Sequence, residues 1–171
     1  MKTIFLDTET TGLNAHYGDE LVEIAIVDSE GNTLLNTFVK PTQNAYWNEA
    51  QRIHGISPAM VENAPTFEEL KPTITQICNG KTVVIYNADF DLSFLDDCLI
   101  GSKIECCMER FAAFYGEWNE YYGNYKWQNL SIASAYVGYK FEGKAHRALA
   151  DTLACRAVWN YLENPLNIEK K

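Results

Sequence analysis

The chain is poor in cations. It has 14 Lys and Arg against 23 Asp and Glu in 171 residues, for a net charge of −9. That argues against a broad basic surface and against tight, sequence-independent duplex binding, which draws its strength from released counterions. It still permits a nucleic acid held at a small site through metal ions. No apolar run comes near the roughly eighteen residues that a membrane-spanning helix needs. No C-x-x-C pair occurs, and the five cysteines (Cys78, Cys98, Cys106, Cys107, Cys155) make an odd count. They read as reduced, mostly buried thiols, with neither zinc nor disulfides implied. The first residues show no charged lead, apolar core and small-residue cleavage site, so no signal peptide is expected and a cytoplasmic location is. Repeats, low-complexity tracts and long linkers are also missing.

What is present is enough apolar material, 47% of residues, for one folded domain with a proper core. The ordered domain is expected over residues 1–165, with 166–171 as a flexible tail. Thr3 to Leu6 is a short β-branched and aromatic run and reads as a buried strand. Leu21 to Asp28 reads as a second, and Thr33 to Lys40 as a third after a tight turn, so a hairpin is expected. Glu49 to Ile53 predicts a short helix leading to His54. Ser57-Pro58 looks like a helix cap followed by proline at the first helical position. Thr66-x-x-Glu69 is a capping-box pattern, with Phe67, Leu70, Ile74 and Ile77 behind it at helical spacing. Lys81 to Tyr86 predicts a fourth strand, running into a helix that begins near Asn87 and continues through Leu95. Ile104 to Cys106 predicts a fifth strand, and Met108 to Tyr115, Leu130 to Val137 and Ala148 to Leu162 predict helices. This order implies an α/β domain with a mixed five-stranded sheet flanked by helices.

Asp7 and Glu9 follow the first strand. Side chains two apart on a strand point the same way, so these carboxylates project side by side. Two anions that close repel unless a cation lies between them, and a divalent metal with oxygen ligands answers that need. An ordinary solvated turn would carry the same residues. Gly12 allows a sharp turn and a close approach by a ligand. Asp91 follows the fourth strand at a helix start, where compensation of the helix dipole is the plain explanation. Asp151 lies in the first turn of an otherwise apolar helix, and His146 falls in the loop at that helix's entry.

Taken in order, Phe5-Leu6-Asp7-Thr8-Glu9-Thr10-Thr11-Gly12-Leu13, Asn87-Ala88-Asp89-Phe90-Asp91-Leu92 and His146-Arg147-Ala148-Leu149-Ala150-Asp151 resemble the motifs of the DEDDh 3′→5′ exonucleases. Ile53-His54-Gly55-Ile56-Ser57 also resembles a family segment, and the likeness covers about residues 3 to 162. The resemblance implies an RNase H-like fold and two magnesium or manganese ions held by Asp7, Glu9, Asp91 and Asp151, with His146 as general base. It places Thr10, Thr11, Gly12 and Leu13 at the terminal nucleotide, His54 near its sugar, and Asn87 and Phe90 near the next nucleotide. Core packing is the plain alternative for Leu13 and Phe90. The reaction implied is hydrolysis from the 3′ end of DNA, single-stranded or frayed, releasing nucleoside 5′-monophosphates. An exoribonuclease on the same site is the alternative, and whether the chain acts alone or docks on a polymerase stays open. A catalytically silent binding module and a transposase-type endonuclease are disfavoured, the first by the intact acidic set and the second by the short acidic chain and His146.

Arg147 stands where the tyrosine-type branch of the family has tyrosine, which points to the histidine type. Two departures stand out. Tyr86 precedes Asn87 where many relatives have histidine, and Gly116 to Trp127 is an unexpected aromatic segment. Its rings (Trp118, Tyr121, Tyr122, Tyr125, Trp127) read mostly as a small core beneath a long loop, with base stacking open to one or two of them.

Overall fold

The computed structural model describes residues 2–95, 97–141 and 145–168. The first apolar run becomes the central strand of a five-stranded sheet. β1 (Thr3–Thr10) lies between β2 (Leu21–Asp28) and β4 (Thr82–Ile85), with β3 (Thr33–Phe38) and β5 (Lys103–Cys106) at the edges. β1, β2 and β3 pair antiparallel, whereas β1, β4 and β5 run parallel. The β2–β3 turn is closed by Asp28, whose carboxylate accepts the N–H groups of Glu30 at 2.9 Å and Asn32 at 2.8 Å.

Between β3 and β4 come α1 (Asn48–His54), α2 (Pro58–Val61) and α3 (Phe67–Cys78). The capping box forms as its residues predict. The Thr66 hydroxyl accepts the Glu69 N–H, and the Glu69 carboxylate accepts the Thr66 N–H at 2.8 Å. α4 (Ala88–Leu92) follows β4 and α5 (Cys107–Tyr115) follows β5. The short strands β6 (Trp118–Asn119) and β7 (Asn124–Tyr125) make a separate hairpin ahead of α6 (Leu130–Tyr136), α7 (Ala148–Glu163) and α8 (Pro165–Ile168). No helix among the described residues is long and apolar enough to cross a membrane.

Strand alternation sorts the core into two layers. Ile4, Leu6, Ile24, Ile26, Val83 and Ile85 pack on α3 and the α4 region, through Leu70, Ile74, Phe94 and Leu95. Phe5, Val27 and Val84 pack on the other face against Phe111 of α5 and Cys155, Val158 and Trp159 of α7. Each such side chain contributes roughly 1.5–3 kcal/mol on burial. The same alternation sends Asp7 and Glu9 toward the α7 side, and Thr8 and Thr10 toward the α4 side.

Two expectations need correction. α4 stops at Leu92 and does not reach Leu95, because the Ser93 hydroxyl donates to the Phe90 carbonyl at 2.6 Å and competes with the helical bond. β1 runs past the expected Leu6 to Thr10, because its pairing with β2 continues beyond the end of β4. After α7 the Pro165–Ile168 turn forms, in which Asn164 Oδ1 accepts the Leu166 N–H at 3.1 Å and Asn167 donates to the Tyr161 carbonyl at 3.1 Å. Residues 169–171 lie outside the described residues, as do 142–144 of the loop expected before His146. All five cysteines are free.

Candidate active site

β1 outruns its parallel neighbour. Its pairing with β4 ends at Leu6 opposite Ile85, while its pairing with β2 continues to Thr10. Asp7 to Thr10 therefore lie beyond the carboxyl end of β4, where the crevice of an open α/β sheet forms. α4 turns into that gap from one side and α7 closes it from the other.

α7 is fastened by a side chain from the middle of β2. Glu23 is buried, at 4% exposure, in an otherwise apolar strand. Its carboxylate accepts Arg147 Nε at 3.0 Å, Arg147 Nη2 at 2.6 Å and the Ala148 N–H at 2.9 Å. The Arg147 guanidinium also lies over the Phe38 ring, 5.3 Å from its centroid. Glu23 sits opposite Glu9 across the β1–β2 ladder, a pairing of like charges that Arg147 offsets. With the helix start held there, Asp151 in its first turn reaches the strand pair. Carboxylate oxygens of Asp7, Glu9 and Asp151 lie within 4.8 Å of one another.

Asp91 arrives differently. It is buried, at 3% exposure, and accepts the Thr8 hydroxyl at 2.7 Å, so it is held on the α4 side of β1 and outside that trio. Its charge still bears on Asp7. Burial, then Asp91, Asp151, Glu9 and Glu23, push the Asp7 carboxyl well above the usual carboxylate range. Glu9 is pushed up to about 8 by burial and by Asp151, Glu23 and Asp91, with Arg147 pulling the other way. Burial raises Asp91 to about 7 against the bonds from Thr8, and Asp151 to about 6 against the nearby His146. Half-buried carboxylates packed this tightly call for a cation, and an all-oxygen set suits a hard divalent one. Arg147 is committed to Glu23.

His146 is exposed and precedes α7 with φ 61°, a left-handed conformation unusual outside glycine. Its backbone N–H faces Asp151 Oδ1 at 3.3 Å. Beside the acids opens a cavity of about 520 Å³, walled by Thr8 to Leu13, His54 and Phe90.

Residues 4–158 match the model of the exonuclease (RNase T) family. The chain belongs to the DEDDh-type exonuclease family. It is 40% identical to an uncharacterized exonuclease of Escherichia phage 186, over 94% of this chain and 86% of that one. It is 36% identical to the DNA polymerase III subunit epsilon of Escherichia coli over 56% of this chain, and that match spans 42% of the subunit's length. Among solved structures it superposes on exonuclease X in complex with 5′ overhanging duplex DNA, with TM-score 0.71 and 25% identity, over 94% of this chain and 90% of that one. It also superposes on the zinc-bound Escherichia coli exonuclease I complex with single-stranded DNA, with TM-score 0.76 over 99% of this chain and 42% of that one. At 18% identity, that second likeness is one of fold. The sheet is the RNase H-like sheet expected.

Within this exonuclease, several residues named at the site have duties the sequence did not reveal. A Cβ at Gly12 would fall against the Asp19 carboxylate, which would have to swing aside, and the φ there is not left-handed. Asp19 in turn accepts the Asn14 N–H at 3.0 Å and the Thr11 hydroxyl at 3.3 Å. The Thr10 hydroxyl donates to the Gly12 carbonyl at 2.5 Å. The threonine hydroxyls thus hold their own loop in shape while their residues line the cavity. His54 is not a solvated loop histidine. It is 3% exposed, and its Nδ1 accepts the Ile56 N–H at 2.9 Å. That leaves Nε2 as the protonated nitrogen, 3.2 Å from the Thr10 carbonyl. Leu13 is 83% exposed at the cavity mouth, and core packing is excluded for it. Phe90 packs edge-tilted on Phe94 at 5.1 Å and lines the cavity as well. Asn87 is exposed and makes no side-chain cap to α4.

Sequence reasoning missed Thr8 and Glu23. Glu23 had a signal, a lone charge inside Leu21-Val22-Glu23-Ile24-Ala25-Ile26-Val27, a run too apolar to carry it unpaired. Thr8 had none, since a threonine in a strand is ordinary. The aromatic segment also departs from expectation. Trp118, Tyr121, Tyr122 and Trp127 are 52%, 87%, 72% and 61% exposed, so these rings do not form a satellite core.

Proposed function

We propose that this exonuclease removes nucleotides from the 3′ end of DNA, single-stranded or frayed, releasing nucleoside 5′-monophosphates, with two magnesium or manganese ions held by Asp7, Glu9, Asp91 and Asp151. The observation that carries this reading is the convergence of the Asp7, Glu9 and Asp151 carboxylates at the end of β1, with Asp91 beside them. When bound, such a metal pair supplies charge neutralisation for the phosphate and an activated water. The chain's own residues do the rest. Glu23 and Arg147 hold the start of α7 so that Asp151 stays in register with β1. Thr8 keeps Asp91 aimed at the same rim. His146, carried on an exposed loop, takes the proton from the attacking water, the work of a general base.

The Leu13 and Phe90 side chains at the cavity mouth suit the terminal base, which must leave its partner before its phosphodiester reaches the acids. That favours ends that are already unpaired. The DNA assignment draws support from exonuclease X, whose structure holds duplex DNA with a 5′ overhang. The test is digestion of DNA and RNA oligonucleotides labelled at either end, with and without a chelator, beside a circular single strand. Stepwise, metal-dependent shortening of 5′-labelled DNA with the circle left whole is expected. Cleavage of the circle, or shortening only of RNA, overturns the reading.

A further inference from the structure

The two departures from the family pattern are physically joined. The Tyr86 hydroxyl at the end of β4 donates to the Gln128 carbonyl at 2.8 Å, at the foot of the β6–β7 hairpin. The Gln128 side chain continues the tie, donating to Glu117 at 3.1 Å. Across the hairpin Trp118 pairs with Tyr125, their rings edge-to-face at 5.2 Å, which braces it. The hairpin is thus set in position beside the strand end that leads into Asn87.

Three hollows run from the acids to that hairpin. The cavity beside the acids shares Leu13 and Phe90 with a second of about 330 Å³, which Asn87 and His16 also line. That second cavity shares Trp127 with a third, of about 440 Å³, walled by Tyr122, Tyr125 and Lys126. The hairpin's Lys126 is paired with Glu117 at 2.7 Å, so the surface along this path is made of ring faces more than of positive charge. In a chain of net charge −9, counterion release gives little affinity for a polyanion away from the acidic site and its metals. Stacking of bases on aromatic rings supplies it without regard to sequence.

We propose that the β6–β7 hairpin is a base-stacking platform for the single strand lying 5′ of the nucleotide in the active site, with Trp127 and Tyr122 as its stacking rings. The platform rests on the nuclease reading above and extends the substrate site by several nucleotides.

The test compares two substrates in steady-state kinetics: an oligothymidylate of about ten nucleotides, long enough to reach the hairpin, and the p-nitrophenyl ester of thymidine 5′-monophosphate, which fills only the acidic end. In Trp127→Ala and in Tyr122→Ala, KM for the oligonucleotide is expected to rise about tenfold, with the ester hydrolysed at the wild-type rate. Trp127→Phe keeps a ring face and is expected to stay within about threefold of wild type. The rise is expected to persist at high salt, since stacking releases no counterions. Tyr46→Ala, an exposed tyrosine lining none of the three hollows, is the control and is expected to change nothing. An unchanged oligonucleotide KM in both alanine variants overturns the platform and leaves the rings as a surface for a protein. An equal rise in Tyr46→Ala or on the ester overturns it too. Wild-type protein that cleaves neither substrate overturns the nuclease reading itself, a result distinct from the others.

Discussion

The acidic rim and the aromatic hairpin lie along one path and are built on opposite rules. At the rim, half-buried or buried carboxylates are forced together, and positioning bonds from distant residues hold them: Thr8 on Asp91, Arg147 on Glu23, the Ala148 N–H on Glu23. At the hairpin, two strands of two residues each carry rings that stand mostly in water, braced by one cross-strand pair. Charge acts at short range only when water is kept away, so a site that handles phosphate must hold its ligands rigidly and accept mutual repulsion. A stacking surface needs area and a flat face, and tolerates exposure. The rim therefore works against the stability of the fold, while the hairpin is nearly neutral to it.

The sharpest way to break this contrast is Asp7→Asn. Cleavage of the chromogenic ester is expected to fall by more than about a thousandfold. The metal-free protein is expected to melt several degrees higher at pH 8, because an amide needs neither to carry a charge beside the other acids nor to take up a proton on folding. A variant that loses activity and also melts lower would show the rim to be structurally favourable. His146→Gln comes next. kcat is expected to drop about a hundredfold if the proposed general-base role holds, with melting unchanged because the side chain is exposed.

Arg147→Met tests the fastening of α7. It leaves Glu23 buried without its cation, and urea titration is expected to show a loss of about 3 kcal/mol. The pH dependence is smaller. Free carboxylates ionise near pH 4, whereas in the folded, metal-free protein Asp151, Asp91 and Glu9 hold protons up to about 6, 7 and 8. Folding therefore takes up protons at the rim, so the rim's contribution to stability is full below pH 4 and falls as pH rises through that window. The melting temperature under chelation is expected to decline steadily from pH 5 to 8, and saturating magnesium is expected to flatten the slope. A melting point that climbs over that range would sink the account of the rim. The hairpin variants close the series with about tenfold in KM and no change in melting, the mirror image of Asp7→Asn.

Much of the fold was legible from local pattern. The β2 and β4 runs, the Thr66–Glu69 box and the helical spacing behind it all formed within a residue or two of expectation, whereas β1 runs four residues past the expected Leu6, to Thr10. Those features are set by neighbours a few positions apart, which alternation and capping chemistry describe well. The pairing of Asp7 with Glu9 belongs to the same class, since strand alternation alone puts them side by side. The end of α4 at Leu92 was harder, because a single serine hydroxyl decided it.

The sequence by itself determined which carboxylates exist to be gathered, on which face of β1 two of them stand, and to which family of catalysts the order of motifs belongs. Only the tertiary structure decided how they meet. Thr8 and Asp91 are 83 residues apart, and Glu23 and Arg147 are 124 apart. No periodicity links such pairs; they are brought together when the sheet closes and the start of α7 is held on β2. The same holds for Gly12 against Asp19 and for the rings of the hairpin. Composition marks a residue as small or aromatic, but packing from elsewhere in the chain decides whether it is covered.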